Sequence, residues 1–261
     1  PGWRKGAILL APPAKGAPVG SHGSRWHTHG MDPGPAVEPL RATLRSLWPA
    51  GISCVALEST PQTTGLYPEE TLAAARFSAA RLEEFALGRR CARQALQELG
   101  MAPTGIGVGP QREPLWPMGI VGSISHATGI AVAAVAHAGE FASLGIDIEA
   151  GRALDPGLAG MVCLPGELEQ AVRAGLDEPL AALLAFSAKE AAYKALWPLL
   201  RRFLDFHDLE ILHSPDRCAF QARPRTPSCP EALAASMHGR TAVLDGMVAA
   251  IAWIRAPAPG S

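Results

Sequence analysis

The sequence predicts an α+β protein built from antiparallel sheets, on three observations. Helical periodicity runs through residues 68–99 and again through 178–200, where apolar side chains recur every three or four positions. Two apolar runs, 119–125 and 129–136, follow each other after a short connection and predict an antiparallel strand pair. The pair Asp245-Gly246, between two further apolar runs, is a strong hairpin signal.

The composition is that of a folded protein with almost no net charge. The length of 261 residues is ample for one large domain or two small ones, and 48% of the residues are hydrophobic and 18% charged. The 23 Lys and Arg residues against 24 Asp and Glu residues give a net charge of −1. We therefore expect no nucleic-acid binding driven by bulk positive charge.

The first 30 residues differ from the rest. Residues 1–30 are rich in Gly, Pro, Ser and His and lack periodicity, which predicts a flexible extension before a folded body that begins at residue 31. Closely spaced histidines can bind metal, yet we interpret His22, His27 and His29 as a cluster without function. Deleting residues 1–30 is expected to leave activity intact.

The five cysteines indicate a reducing compartment. Their number is odd, they are widely spaced and none forms a C-x-x-C pair, so neither a disulfide framework nor a zinc site is predicted. The apolar runs are shorter than the roughly 18 residues that a membrane span needs. An apolar stretch near the amino end is too short for a signal sequence and is followed by Pro12-Pro13. We expect a cytoplasmic protein that does not use a membrane.

The predicted elements repeat one order, helix and then strands. The helix at 68–99 ends at Gly100, and after a loop at 103–117 come the two strands described above. Residues 144–149 alternate as a further strand. The second part predicts a short helix at 165–175, a long one at 178–200 that ends near Pro198, and strands at 209–212, 218–222, 241–244 and 247–254.

Lysine is rare in this chain, and its placement is informative. Arginine provides 19 of the 23 basic residues, and only two of the four lysines, Lys189 and Lys194, lie outside the first 30 residues. Both belong to the long helix at 178–200. Lysine offers a compact point charge to one phosphate oxygen, where arginine presents a rigid fork. The helix is therefore a candidate anion-contacting element, and chance is the alternative.

Helical spacing predicts one polar face on that helix. Phe186, Lys189, Glu190, Tyr193 and Lys194 occupy positions i, i+3, i+4, i+7 and i+8. An exposed Glu190–Lys194 pair would be a routine helix stabiliser, but it would not account for aromatic residues on the same stripe. The pattern favours a functional face.

Two carboxylates follow each other on the strand predicted at 144–149. Alternation puts Asp147 and Glu149 on one face, roughly 6 to 7 Å apart along the strand. Two carboxylates that face one way repel unless a cation lies between them, and oxygen ligands of this kind suit Mg²⁺. Taken alone, the solvated face of an edge strand explains the pair better, so the signal counts only in combination.

A third group of polar residues lies in the first part of the chain. Ser125 and His126 end an apolar strand, but the segment lacks the second glycine of a G-x-S-x-G elbow, so a hydrolase nucleophile is not predicted. Several arginines belong to the same part of the chain, and they form either a solvated helix face or a binding site for a polyanion. They are Arg81, Arg89, Arg90 and Arg93 in the first long helix and Arg112 in the following loop.

In chain order, these segments resemble the motifs of a 4'-phosphopantetheinyl transferase of the surfactin-type group, in the enterobactin synthase component D branch. The segments are 88–96, 112–117 leading to 123–126, 145–149 and 186–194. The resemblance spans residues 77–210, and its last two segments together are the most specific.

The resemblance implies a fold. It is an α+β pseudo-dimer of two similar halves, each a small antiparallel sheet packed with helices, with the active site in the cleft between them. On that basis we place the coenzyme A-binding half at 31–140 and the half with the metal and catalytic residues at 141–261. We expect a monomer, because the two halves already form the cleft.

The resemblance also implies a reaction and the residues that carry it out. The 4'-phosphopantetheine group of coenzyme A is transferred to a serine of an acyl, aryl or peptidyl carrier protein, and adenosine 3',5'-bisphosphate is released. Asp147, Glu149 and Glu190 would hold Mg²⁺ on the pyrophosphate, and Lys194 would neutralise charge there. Glu190 is the candidate general base for the incoming serine. The expected catalytic residues are thus Asp147, Glu190 and Lys194.

Further residues are implied to contact the two substrates. For coenzyme A they are Ser125, His126, Lys189 and Lys194 at the phosphates, with Arg81, Arg89 and Arg112 at the 3'-phosphate and adenine side. The carrier supplies the nucleophile, so this chain needs none. Carrier domains are usually acidic near that serine, and Arg201-Arg202, just past the motif helix, would meet such a surface.

Two other classes of protein stay open on the residues alone. A different Mg²⁺-dependent phosphohydrolase would use carboxylates and lysine as well, and would release phosphate or nucleotide without a carrier. A non-catalytic module of the same fold would bind coenzyme A or carrier domains without turnover. The low net charge and the short apolar runs give no reason to invoke nucleic acid or lipid.

Overall fold

The computed structural model describes residues 37–59, 65–151, 153–214, 216, 218–244 and 246–258. The predicted extension at 1–30, with its three histidines, and Asp245 of the predicted hairpin lie outside these residues. Within the described part of the chain, no helix is long and apolar enough to cross a membrane.

The first half is a three-stranded antiparallel sheet between helices. Its elements are α1 (Val37–Leu47), β1 (Ile52–Glu58), α2 (Pro68–Ala74), α3 (Ala79–Glu98), β2 (Gly107–Val108), β3 (Pro114–Leu115), β4 (Ile120–Ala127) and β5 (Ile130–His137). The strand order is β1-β5-β4, and β2 pairs with β3. Helix α3 packs on one face of β5 through Cys91 and Ala95, while α1 packs on the other through Leu40 and Leu44.

The second half is a five-stranded antiparallel sheet covered by one long helix. Its elements are β6 (Phe141–Ala150), α4 (Pro156–Val162), α5 (Pro165–Arg173), α6 (Glu178–Leu200), β7 (Leu209–His213), β8 (Ala219–Pro224), α7 (Glu231–Ala235), β9 (Met237–Leu244) and β10 (Met247–Arg255). The strand order is β6-β10-β9-β8-β7. Helix α6 packs on this sheet through a row of alanines, including Ala188, Ala191, Ala192 and Ala195.

Most predicted elements are confirmed, and one predicted helix is wrong. The strand pair at 119–125 and 129–136 forms as β4 and β5, antiparallel, with His126 opposite Ala131. The single helix predicted at 68–99 is two helices, because Ser78 begins a new one: its hydroxyl accepts the N–H of Arg81 at 3.3 Å. The loop predicted at 103–117 contains the short strands β2 and β3, and no prediction was made for α1, β1, α4 or α7.

Helix α6 can lie close to β6 because β6 has a glycine at the contact. A Cβ atom on Gly145 would be 1.9 Å from the carbonyl oxygen of Ala191, which no side chain could occupy without moving the helix. The backbones of β6 and α6 therefore meet two residues before Asp147. Asp147 on the strand and Lys194 on the helix, which follow this contact along their elements, touch each other.

The two halves meet at β4 and β6. Each is an edge strand of its own sheet, and the two strands lie side by side. Two serines one pleat apart on β4 accept backbone N–H groups of β6. Ser123 Oγ accepts from Ile146 at 3.1 Å, and Ser125 Oγ accepts from Ile148 at 3.3 Å. The serine hydroxyls thus satisfy donors that an edge strand otherwise leaves open, and they join the first sheet to the second.

Candidate active site

The candidate site is built around the carboxylate of Asp147 on β6, which is fully buried. Its Oδ1 accepts hydrogen bonds from Lys194 Nζ at 2.8 Å and from Ser125 Oγ at 3.0 Å. Its Oδ2 accepts from Ser187 Oγ at 3.0 Å. Ser125 belongs to the first half and the other two donors to α6, so this one carboxylate joins both halves of the fold.

Helix α6 presents a polar stripe to β6. Ser187 and Lys194 are seven residues apart and both contact Asp147, which places Glu190 and Ala191, between them, on the same side of the helix. Lys194 also donates to the carbonyl oxygen of Ile146 at 3.0 Å. Its side chain is 22% exposed, whereas that of Asp147 is fully buried.

Glu190 lies in a region of concentrated negative charge. Glu190 is buried, with 7% of its surface exposed. Burial raises the pKa of Tyr193 to about 12, and the charges of Glu190 and Glu113 add to that increase. Glu113 comes from the first half, next to β3, and pairs with Arg201 at 3.5 Å, just beyond the end of α6. The first half therefore contributes a carboxylate to the surroundings of Tyr193, about one helical turn beyond Glu190.

The three predicted metal ligands do not form a closed cluster. Asp147 and Glu149 lie on one face of β6, as strand alternation predicts, and Glu149 is half-buried. Among the described residues, no three His, Cys, Asp or Glu side chains converge into a ready metal site. Any ion here would need ligands from substrate or water in addition to those of the protein.

His126 and Arg81 lie together at the end of β4. Arg81 Nη1 is 2.8 Å from His126 Nε2, and Glu84 Oε2 is 3.1 Å from the same Arg81 nitrogen and 3.9 Å from His126 Nδ1. Both basic side chains are partly exposed. The structure thus brings two of the predicted coenzyme A contacts together, Arg81 from α3 and His126 from β4, the strand that also carries Ser125.

Arg89 has a structural role. It is 5% exposed, it donates to the carbonyl oxygens of Ile106 at 2.8 Å and Gly107 at 3.3 Å, and its guanidinium lies over the ring of Phe85. Burial lowers its pKa to about 10, which leaves it charged at neutral pH. The contact with coenzyme A expected for Arg89 stays a prediction.

Arg112 and the Arg201-Arg202 pair lie on exposed surface. Arg112 has a positive φ of 69° in the turn between β2 and β3, where its N–H donates to Gly109 at 2.9 Å. Arg201 ends α6 in the left-handed conformation and reaches Glu113 of that same turn region. The structure therefore places these arginines together, at one end of α6.

Lys189 is separated from the rest of the site, and the prediction of one polar face is wrong for it. Its side chain is fully buried, and its Nζ contacts the carbonyl oxygens of Val162 and Phe206 and the carboxylate of Glu167. Five helical positions rotate a side chain by about 140°, so Lys189 and Lys194 point to different sides of α6. This arrangement does not support the expected contact of Lys189 with the pyrophosphate.

Sequence reasoning assigned no role to three residues of the site region, which are Ser123, Ser187 and Glu113. It also did not predict Glu167, which pairs with Lys189 away from the site. A signal existed for Ser187, because it lies seven residues before Lys194 and helical spacing puts both on one face.

Comparison with known proteins identifies the family of this chain. Residues 68–136 match the family model described as the 4'-phosphopantetheinyl transferase N-terminal domain, and residues 143–243 match that of the 4'-phosphopantetheinyl transferase superfamily. The boundary between the two matches falls between β5 and β6, where the two sheets divide.

Curated relatives agree with the family models. The 4'-phosphopantetheinyl transferase Svp of Streptomyces mobaraensis is 40% identical over 197 residues, 74% of this chain and 80% of the relative. Npt of Nocardia iowensis is 40% identical over 168 residues, 64% of this chain and 75% of the relative. Enterobactin synthase component D of Salmonella typhimurium is 40% identical over 117 residues, 44% of this chain and 48% of the relative.

The two family models cover both halves of this α+β pseudo-dimer, which places it in the phosphopantetheine-transferring class of enzymes. The chain belongs to the 4'-phosphopantetheinyl transferase superfamily. The resemblance drawn from the sequence motifs, including similarity to enterobactin synthase component D, is confirmed.

Proposed function

We propose that this enzyme transfers the 4'-phosphopantetheine group of coenzyme A to a serine of a carrier protein, with Mg²⁺, and releases adenosine 3',5'-bisphosphate. The observation that carries the proposal is the Asp147 carboxylate, which is held by Ser125 of one half and by Ser187 and Lys194 of the other. This cluster gathers oxygen ligands and an ammonium group at one place, as displacement at a phosphate requires.

The donor set fits Mg²⁺. Asp147, Glu149 and Glu190 offer only oxygen ligands, and Mg²⁺ commonly takes one or two carboxylates and completes its shell with water and phosphate oxygens. Such a shell does not need a closed cluster of three protein ligands, which agrees with the geometry of the described residues. When bound, the ion would neutralise charge on the pyrophosphate oxygens.

The chain's own residues have separable roles in this proposal. Lys194, held by Asp147 and partly exposed, presents its ammonium to the pyrophosphate. Glu190 takes the proton of the incoming serine, directly or through a water molecule. Ser125, His126 and Arg81 orient coenzyme A from the first half, since displacement at phosphorus depends on the alignment of its reactants.

The carrier is the second substrate in this proposal. The names of the relatives describe phosphopantetheinyl transferases and a component of enterobactin synthase, which supports a carrier of secondary or siderophore metabolism. The exposure of Arg201, 66% at its side chain, and of Arg202 supports a contact of this pair with an acidic carrier surface. We further propose a cytoplasmic monomer, and the five free thiols support the reducing compartment.

The test is intact-mass spectrometry of apo carrier proteins from several pathways, incubated with the enzyme, coenzyme A and Mg²⁺. A Mg²⁺-dependent gain of one phosphopantetheine supports the proposal, and EDTA should remove it. Measurable coenzyme A binding without transfer to any carrier would favour a binding module. Release of nucleotide without a carrier would favour a phosphohydrolase.

A further inference from the structure

A buried ion pair lies on the side of α6 that faces away from β6. The side chains of Lys189 and Glu167 are 0% and 2% exposed, and Lys189 Nζ is 2.9 Å from Glu167 Oε2. The same nitrogen donates to the carbonyl oxygens of Val162 at 2.9 Å and Phe206 at 2.8 Å. An ammonium group has three N–H donors, and these three acceptors use all of them.

Glu167 extends the contact to the start of its own helix, α5, and to strand β7. Its Oε2 accepts the backbone N–H of Leu164 at 2.6 Å, at the start of α5, and its Oε1 accepts that of Ile211 at 2.5 Å, in β7. Through this one pair, the end of α4, the start of α5 and the turn at 206–208 that leads into β7 are all fixed to the middle of α6.

On the basis of the proposed function, we propose that Lys189 and Glu167 are a positioning pair that fixes Glu190 in the active site, and that neither touches coenzyme A. Glu190 follows Lys189 directly, about 100° further around the helix. The helix can neither rotate nor slide at Glu190 without breaking the contacts of Lys189 with Val162, Phe206 and Glu167. The pair therefore acts through the orientation of α6.

The first test removes one charge and then both. Lys189→Met leaves a buried carboxylate without its cation, which displaces the segments around it. We expect the single-turnover rate of transfer to fall at least ~10-fold, with the KM for coenzyme A within about twofold of wild type. Lys189→Met/Glu167→Gln removes both charges, and the single amide oxygen of Gln replaces one of the two carboxylate oxygens that accept backbone N–H groups. Because no buried charge is left without its partner, the double variant should recover part of the lost rate and be at least about threefold faster than Lys189→Met.

The double variant separates positioning from substrate contact. If Lys189 touched the pyrophosphate, the double variant would be as slow as Lys189→Met and its KM for coenzyme A would rise, which would overturn the proposal. Single-turnover rates are normalised to enzyme with bound coenzyme A, so a smaller folded fraction does not lower them. A merely structural pair would leave that normalised rate unchanged in Lys189→Met, and this too would contradict the proposal.

The second test uses the wild-type chain and needs no variant to fold. Lysines are acetylated with and without coenzyme A and mapped by peptide mass spectrometry. Lys189 should stay unmodified under both conditions. Labelling of Lys189 that coenzyme A prevents would overturn the proposal. Because this result does not depend on transfer to a carrier, a failure of the proposed function and a failure of this inference remain distinguishable.

Discussion

The two halves of the chain each bury a glutamate at the start of a short helix, and each pairs it with a cation from the following long helix. Glu70, fully buried near the start of α2, accepts the backbone N–H groups of Tyr67 at 2.9 Å and Ile106 at 3.0 Å. Its Oε2 is 2.6 Å from Arg93 of α3. Glu167 of α5 has the same set of partners: one backbone N–H at its own helix start, one from a later segment, and a cation of α6.

The long helices differ in what they present to their sheets. At its contact with β5, α3 offers Cys91, Ala92 and Ala95, an apolar surface. Helix α6 offers Ser187 and Lys194 to the strand that carries Asp147. The buried ion pair is thus common to both halves and supports the fold in each. The polar stripe on α6 is what distinguishes the half that carries the candidate chemistry.

The largest effect of any substitution is expected on that stripe. Glu190→Gln keeps the shape of the side chain but removes a carboxylate that serves as proposed base and metal ligand. We expect kcat for carrier modification to fall at least ~10³-fold while the thermal midpoint stays near that of wild type. Glu178→Gln, at the exposed start of the same helix, is the matched control and should keep full activity. Wild-type turnover in Glu190→Gln would refute the proposed mechanism.

The next largest effect concerns the shared ion pairs. Arg93→Met and Lys189→Met each leave a buried carboxylate without its cation, so each should lower the free energy of unfolding by about 3 kcal/mol. Urea denaturation measures both. The transfer rate per folded molecule should fall only in Lys189→Met, because Lys189 is next to Glu190, whereas Arg93 is twelve positions along α3 from Arg81, the residue of that helix proposed to orient coenzyme A. An equal loss of rate in Arg93→Met would mean that the two pairs do not differ in function.

Much of the fold could be predicted because its strands and long helices carry clear periodicity. The continuous apolar run that became β5 and the alternation in β6 gave their positions within a few residues. The break at Ser78 was missed because alanines keep a helical pattern on both sides of it. Both buried glutamates follow a proline by two residues at a helix start, as Pro68 and Pro165 show, and that repeat was a readable signal.

The candidate site could be predicted only in part, since sequence spacing does not show distant contacts. Asp147 and Lys194 were expected to act together, and they are in contact. Lys189 was grouped with Lys194 although their separation of five positions puts them on different sides of a helix. The pairing of Lys189 with Glu167 depends on how α5 folds back onto α6, which no local pattern records.

A smaller effect is expected where the two sheets meet. Ser125→Ala removes the acceptor for the N–H of Ile148 and a donor to Asp147, and should cost about 2 kcal/mol in unfolding free energy and several-fold in kcat. Ser123→Ala is the matched control, because its hydroxyl bonds the N–H of Ile146 and lies one pleat away from the carboxylate. It should cost about 1 kcal/mol and leave kcat unchanged. Equal losses of kcat would show that Ser125 acts only as a link between sheets.

The smallest predicted effect is a pH dependence that belongs to the second half. The ring nitrogens of His213 in β7 are buried and have no hydrogen-bond partner among the described residues, and burial lowers its pKa from 6.5 to about 4. Between these values the unfolded chain binds a proton that the folded chain does not, so stability falls as the pH drops from 6.5 towards 4. The contribution of His213 to the free energy of unfolding is on the order of 1 kcal/mol once its partial exposure is discounted.

His213→Gln should make the free energy of unfolding less dependent on pH over this range, and His137→Gln, at the exposed end of β5, should not. The same slope in His213→Gln as in wild type would assign the pH dependence to other groups.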